Sequence, residues 1–179
     1  MGGGRPCGAS ETQRQDLFFD PGTPFTPMGL LPWQRTGVQC LQLDKEGGEW
    51  MDTAMPDSGA ARVERTADLK LRGDGSLEGK LKVAYRGQEA LSLRLEERNK
   101  DDVARRKFLE DQVKEAVPAG IEVQLTNQPN WSSSEFSLVA EFSLKVPGWA
   151  SSTGHRTIVP AGLFVGRLPV LWLQENRQH

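Results

Sequence analysis

Arg62-Val63-Glu64-Arg65-Thr66-Ala67-Asp68-Leu69-Lys70-Leu71 is followed by Arg72-Gly73-Asp74-Gly75-Ser76 and then by Leu77-Glu78-Gly79-Lys80-Leu81-Lys82-Val83-Ala84-Tyr85. In the first segment Val63, Ala67, Leu69 and Leu71 fall at period two, and in the third Leu77, Leu81, Val83 and Tyr85 repeat that parity. Successive side chains of a strand point to opposite faces, so each segment presents one apolar face. The glycine-rich segment between them supplies the turn of an antiparallel hairpin, which Gly87 ends.

Downstream the period changes. Gln88 to Val117 contains good helix formers and no Gly or Pro, with Leu91 and Leu95, and then Leu109, Val113 and Val117, four apart, and Val103 and Phe108 between them. This predicts two helices broken near Asn99-Lys100, the second capped by Asp101 or Asp102 and stopped by Pro118-Ala119-Gly120. Ile121 to Leu125 alternates again, and Phe136, Leu138, Ala140, Phe142, Leu144 and Val146 predict a half-buried strand over Phe136–Val146. Thr157-Ile158-Val159 and Leu168 to Leu173 are further strand candidates, limited by Pro160 and Pro169. The expectation is an α+β fold: an antiparallel β-rich domain with one or two helices, in the order β-β-α-α-β-β, over residues 62–179. That domain is expected to be truncated at its C-terminus, because Leu171-Trp172-Leu173 reads as a strand entering a sheet and the chain stops at His179.

Upstream, residues 1–16 are polar and Gly-rich with no face to bury, which predicts a disordered leader. The apolar run Leu17-Phe18-Phe19 meets Asp20-Pro21-Gly22, so a short buried strand is expected to end at or near Asp20. Pro27, Gly29 and Pro32 then hold Met28, Leu30, Leu31 and Trp33 in irregular backbone. Thr36 to Leu43 alternates as a strand, and Asp44-Lys45-Glu46-Gly47-Gly48 turns it back into Glu49-Trp50-Met51 as a hairpin. Thr53 to Ala61 is small and turn-rich, and residues 56–61 are expected to link a first region, 17–55, to the β-rich domain.

The chain has 179 residues, enough for one ordinary core, with 22 Lys+Arg against 24 Asp+Glu. That balance offers no cationic excess for phosphate contacts, so nucleic acid is not the expected partner. No apolar stretch reaches the roughly 18–20 residues of a membrane span, and no secretory signal opens the sequence, so a soluble protein is expected. The two cysteines, Cys7 and Cys40, have neither CxxC spacing nor histidines nearby, so no metal and no cofactor are expected. Asp44-Lys45-Glu46-Gly47 and Asp74-Gly75 lack the spaced oxygens of a calcium loop and read as turns. Asn130-Trp131-Ser132 fits the glycosylation sequon but reads as a loop. The mixed charges from Glu96 to Asp111 read as a solvated helix face.

Cysteine acyl transfer needs a thiolate, a histidine to activate it and a carboxylate or amide to orient that histidine. Here the carboxylate alone is visible. The stretch Phe18-Phe19-Asp20-Pro21-Gly22-Thr23-Pro24-Phe25, with Met28-Gly29-Leu30-Leu31-Pro32-Trp33, resembles bacterial transglutaminase-like proteins of papain fold that carry an extra β-rich domain. The resemblance continues through Glu64 to Leu69, Asp74 to Gly79 and Tyr85 to Leu91. In that family the catalytic order is Cys, His, then Asp in an aromatic-Asp-Pro context, and Asp20 matches the last position. The resemblance implies that residues 17–55 are the C-terminal remnant of a transglutaminase-like domain and that Asp20 is its triad carboxylate. It further implies a parent that performs cysteine-based acyl transfer or peptide hydrolysis; the compartment is not readable from the sequence, and export of a longer parent, to a periplasmic or extracellular location, stays open. The partners implied are the missing upstream catalytic domain or a protein substrate.

The chain departs from the family where it matters most for activity, because the nucleophile helix and the histidine strand that should precede Asp20 are absent. Cys7 sits in a Gly/Pro-rich leader with no histidine before Asp20, and Cys40 follows Asp20 in a strand-like stretch where cysteine acts as a small hydrophobe. His155 and His179 both come after Asp20 and read as loop and terminus. Two readings therefore stand for Asp20: the orienting carboxylate of a triad, or an aspartate that caps the Pro-Gly turn. They correspond to two functions for the chain, an inactive portion of a cysteine acyltransferase or a binding module. The first expects an open apolar surface around Phe18, Phe19, Phe25, Leu30, Leu31 and Trp33, and the second expects those side chains buried against the β-rich domain.

Overall fold

The period-two runs between Ala61 and Val146 find one another in one antiparallel sheet. The computed structural model describes residues 18, 20–43, 45, 47–117, 120–153, 155–160 and 163. The leader 1–16, with Cys7, the residues Leu17 and Phe19, the expected strand Leu168–Leu173, and His179 lie outside them. Strands β1 (Gln39–Leu43) and β2 (Gly48–Asp52) form the upstream hairpin, and β3 (Ala61–Leu71) and β4 (Leu77–Gly87) form the second. Helices α1 (Gln88–Glu96) and α2 (Asp102–Glu115) follow, then β5 (Glu122–Leu125), β6 (Leu138–Val146), β7 (Ser151–Thr153) and β8 (Arg156–Ile158). The main sheet has the order β3-β4-β6-β5, and the other strands make two separate two-stranded hairpins. The fold is α+β and rich in antiparallel strands, as the pattern predicts.

Register explains why the apolar parity works. Leu81 lies opposite Phe142, Val83 opposite Ala140 and Tyr85 opposite Leu138, while Leu125 of β5 faces Phe142 from the other side. Their side chains share one face, and Ala90 and Leu93 of α1 with Leu109 and Val113 of α2 cover it. Phe142, Leu109 and Leu138 are wholly buried, and full burial of each such side chain stabilises the fold by about 1.5–3 kcal/mol. The opposite face is polar. Glu64 pairs with Arg62 and Arg86, and Glu78 pairs with Arg72 and Lys145; such exposed pairs contribute about 0–1 kcal/mol each.

Four local expectations shift. Ala67 and Leu71, placed by parity on the core face of β3, are exposed, whereas Val63 and Leu69 pack on the core. Helix α1 lies against β4 and part of β3, and α2 lies against β5, which leaves the rest of the outer strand uncovered. Phe136 is exposed and β6 begins at Leu138, because the Phe136 carbonyl accepts a bond from Arg94 Nη2 at 2.8 Å instead of joining the ladder. Val103, in the first turn of α2, is exposed as well. At the start of the chain Phe18 and Asp20 lie in irregular backbone, not at the end of a strand.

The helix break arises as expected. Asp101 has extended backbone and its Oδ1 accepts the Ala104 N–H at 2.7 Å, satisfying one of the free donors of α2. Asp101→Ala is expected to lower stability by about 1 kcal/mol. A urea titration reads this as a lower midpoint at unchanged slope; an unmoved midpoint would show that the cap carries no stability. Among the described residues no helix is long and apolar enough to cross a membrane.

Candidate functional site

Asp20 begins a tight turn. Pro21 has its φ fixed by the ring, and Asp20 Oδ1 accepts the Gly22 N–H at 2.9 Å, closing a turn through the side chain. Thr23 Oγ1 donates to Oδ2 at 2.6 Å, and the same oxygen meets Arg35 Nε at 3.1 Å. The Asp20 side chain is only 6% exposed, while that of Arg35 is 63% exposed.

Arg35 closes the short 3-10 helix Trp33–Arg35, and Thr53 positions that helix from below. Thr53 is buried; its hydroxyl donates to the Arg35 carbonyl at 2.8 Å and accepts the Val38 N–H at 3.0 Å. The Asp20 carboxylate is therefore connected through Arg35 and Thr53 to the open end of the β1–β2 hairpin. Phe18, Asp20, Leu31, Arg35, Cys40 and Thr53 are among the residues lining a cleft of about 390 Å³. Cys40 is half-buried in β1, opposite Met51. It stands on the cleft wall, not in the enclosed core expected of a small hydrophobe.

The hydrogen bond from Thr23, followed by the Gly22 N–H and the Arg35 charge, outweighs burial and holds the Asp20 carboxyl below its ordinary pKa. A carboxylate with a lowered pKa contributes stability that is complete above the unfolded-state value and is lost as pH falls through the folded-state value. The turn is thus expected to hold at neutral pH and to loosen only below about 3.8. Following the Asp20 carboxyl carbon and the Gly22 amide by NMR should give one shared midpoint below 3.8; a midpoint at or above it would remove the ion pair and the hydroxyl bond from the account.

The arrangement keeps an ionised carboxylate at the edge of a cleft, and such a group can accept the Nδ1–H of an imidazole. Among the described residues no histidine lines the cleft. His155 is exposed in the β7–β8 turn, as the loop reading expects, and Asn130 lies in a loop where its Oδ1 accepts the Ser132 and Ser133 N–H groups. Among the described residues no group of His, Cys, Asp and Glu could hold a metal ion. Sequence reasoning found Asp20 but missed Thr23, Arg35 and Thr53. The one available signal was a hydroxyl residue three positions after Asp, a common turn partner.

No family model, curated protein or solved structure matches the chain.

Proposed function

We propose that the chain is the carboxylate-bearing C-terminal portion of a transglutaminase-like cysteine acyltransferase or peptidase, with Asp20 as the orienting member of its triad. By itself the chain turns over no substrate, because cysteine and histidine in working geometry must come from a preceding catalytic core of papain fold. In this reading residues 17–55 are the end of that core, and the parent is an exported bacterial protein acting on a protein substrate.

The observation that carries the proposal is a buried, ionised carboxylate at the rim of a cleft, beside apolar side chains that the β-rich domain leaves uncovered. Trp33 is 67% exposed and Met28 is also exposed, while Phe18, Phe25, Leu30 and Leu31 are half-buried. A missing core would cover such a surface. A second reading, a binding module without catalytic ancestry in use, is favoured by the local bonds of Asp20: both carboxylate oxygens already serve its own turn.

The coding DNA upstream of the Met1 codon separates the two. An in-frame segment encoding a Cys-bearing helix and a His-bearing strand is the expected result, whereas a stop codon and ribosome site directly before Met1 would leave the binding module.

A further inference from the structure

Arg94 lies on α1, where its neighbours Leu91 and Leu93 belong to the buried side of the helix, and it is only 2% exposed. A guanidinium has five N–H donors and stays charged in a protein. Nη2 donates to the carbonyls of Asn130 at 3.2 Å and Phe136 at 2.8 Å. Nε is buried and has no acceptor among the described residues, and no carboxylate there forms an ion pair with Arg94. A buried cation without a counter-charge is costly, so buried charges are ordinarily paired.

Arg94 also lines a cavity of about 160 Å³. Phe25, Pro27, Leu91 and Phe136 give it apolar walls, and Ala90 brings the first turn of α1 to it. Gly87 precedes that helix and has no side chain to cap its free N–H groups. Arg86 stands at the same cavity but is engaged by Glu64, and the one acidic lining residue, Glu135, is exposed. A cation with unused donors, set behind apolar walls, suits an anion carried on a short apolar stem.

We propose that this cavity binds an organic carboxylate on a small apolar stem, of the kind a peptide presents at its C-terminal residue, with Arg94 as the anion-binding group. The site is separate from the Asp20 cleft and does not depend on the function proposed for it. A volume of about 160 Å³ admits one apolar residue and its carboxylate, not a folded partner.

The test titrates the full isotope-labelled chain with N-acetyl-leucine, N-acetyl-leucinamide and inorganic phosphate, following the Arg94 Nε–H and the Ala90 and Phe136 amides by NMR. The acid is expected to give saturable shifts at those three groups with a dissociation constant of order 1 mM, and the neutral amide is expected to give none. Phosphate, lacking the stem, is expected to bind at least about tenfold more weakly. Arg94→Met should weaken the acid at least about tenfold. Because Arg94 also ties α1 to the loop before β6, the comparison of acid with amide on the unmodified chain decides the matter even if that variant fails to fold. Equal shifts from acid and amide, or none from either, would leave Arg94 as a structural tie and overturn the site. Phosphate binding as tightly as the acid would overturn the apolar-stem assignment.

Discussion

In a polypeptide that joins this chain to a Cys- and His-bearing core, Asp20→Asn is expected to lower kcat about 10⁴-fold, equivalent to about 5.5 kcal/mol of transition-state stabilisation. The size follows from the proposed role, since an amide in place of the carboxylate would hold the imidazole in the wrong tautomer and withdraw the charge that stabilises the imidazolium. The substitution also tests the competing reading cleanly. An Asn side-chain oxygen can still accept the Gly22 N–H, so the turn is expected to survive while the ionic contact with Arg35 is lost. Steady-state kinetics with an acyl-transfer or peptide substrate, together with a thermal melt, give the answer. A fall below about tenfold with an unchanged melt would assign Asp20 to the turn alone.

Gly87→Ala is expected to lower folding stability by at least about 3 kcal/mol, a large share of the roughly 5–15 kcal/mol typical of a domain. Gly87 joins β4 directly to α1 with φ +55° and ψ −124°, a conformation that side-chain-bearing residues rarely adopt. A Cβ there would lie 1.9 Å from the Ala60 carbonyl oxygen and 2.8 Å from its carbon, and both are backbone atoms of the segment entering β3. Relief requires moving either the end of β3 or the start of α1, and Ala61 is the ladder partner of Gly87. Denaturant unfolding monitored by far-UV circular dichroism reads the loss. A decrease under about 1 kcal/mol would show that this joint relaxes without disturbing the sheet.

Sequence pattern exposed the main sheet and helices because their information is local. Leu81, Val83, Tyr85 and the even residues from Leu138 to Val146 declare their buried face by parity, and the pair Asp101-Asp102 declares the helix start without saying which of the two caps it. Of the β7–β8 hairpin only β8 was legible, through Thr157-Ile158-Val159; β7 is three exposed polar residues, and Ser151 to Arg156 reads as a loop around His155. Length and composition carry too little signal there. Asp20 could be singled out by its aromatic-Asp-Pro setting, but its partner Arg35 comes from the far side of an irregular loop. No period predicts that contact. Arg94 escaped for the same reason, since its acceptors lie 36 and 42 residues onward in the chain. Periodicity reports which way a residue faces, whereas polar contacts across loops are set only when the chain has closed on itself.

The β1–β2 hairpin that steadies Arg35 through Thr53 is a two-stranded sheet of its own, with Leu41, Leu43 and Trp50 exposed. Among the contacts that reach from this part of the chain to the main domain is the Gln88 side-chain amide, which donates to the Leu31 carbonyl. A lone hairpin is marginal in water, so residues 20–53 and 61–146 form two tiers of stability in one molecule. Amides of the hairpin should exchange through small local openings while those of β4 and β6 wait for global unfolding. The carboxylate of Asp20 therefore rides on the softer tier. Substitutions that stiffen or loosen the hairpin can shift where that carboxylate sits while the melting temperature set by the sheet stays fixed.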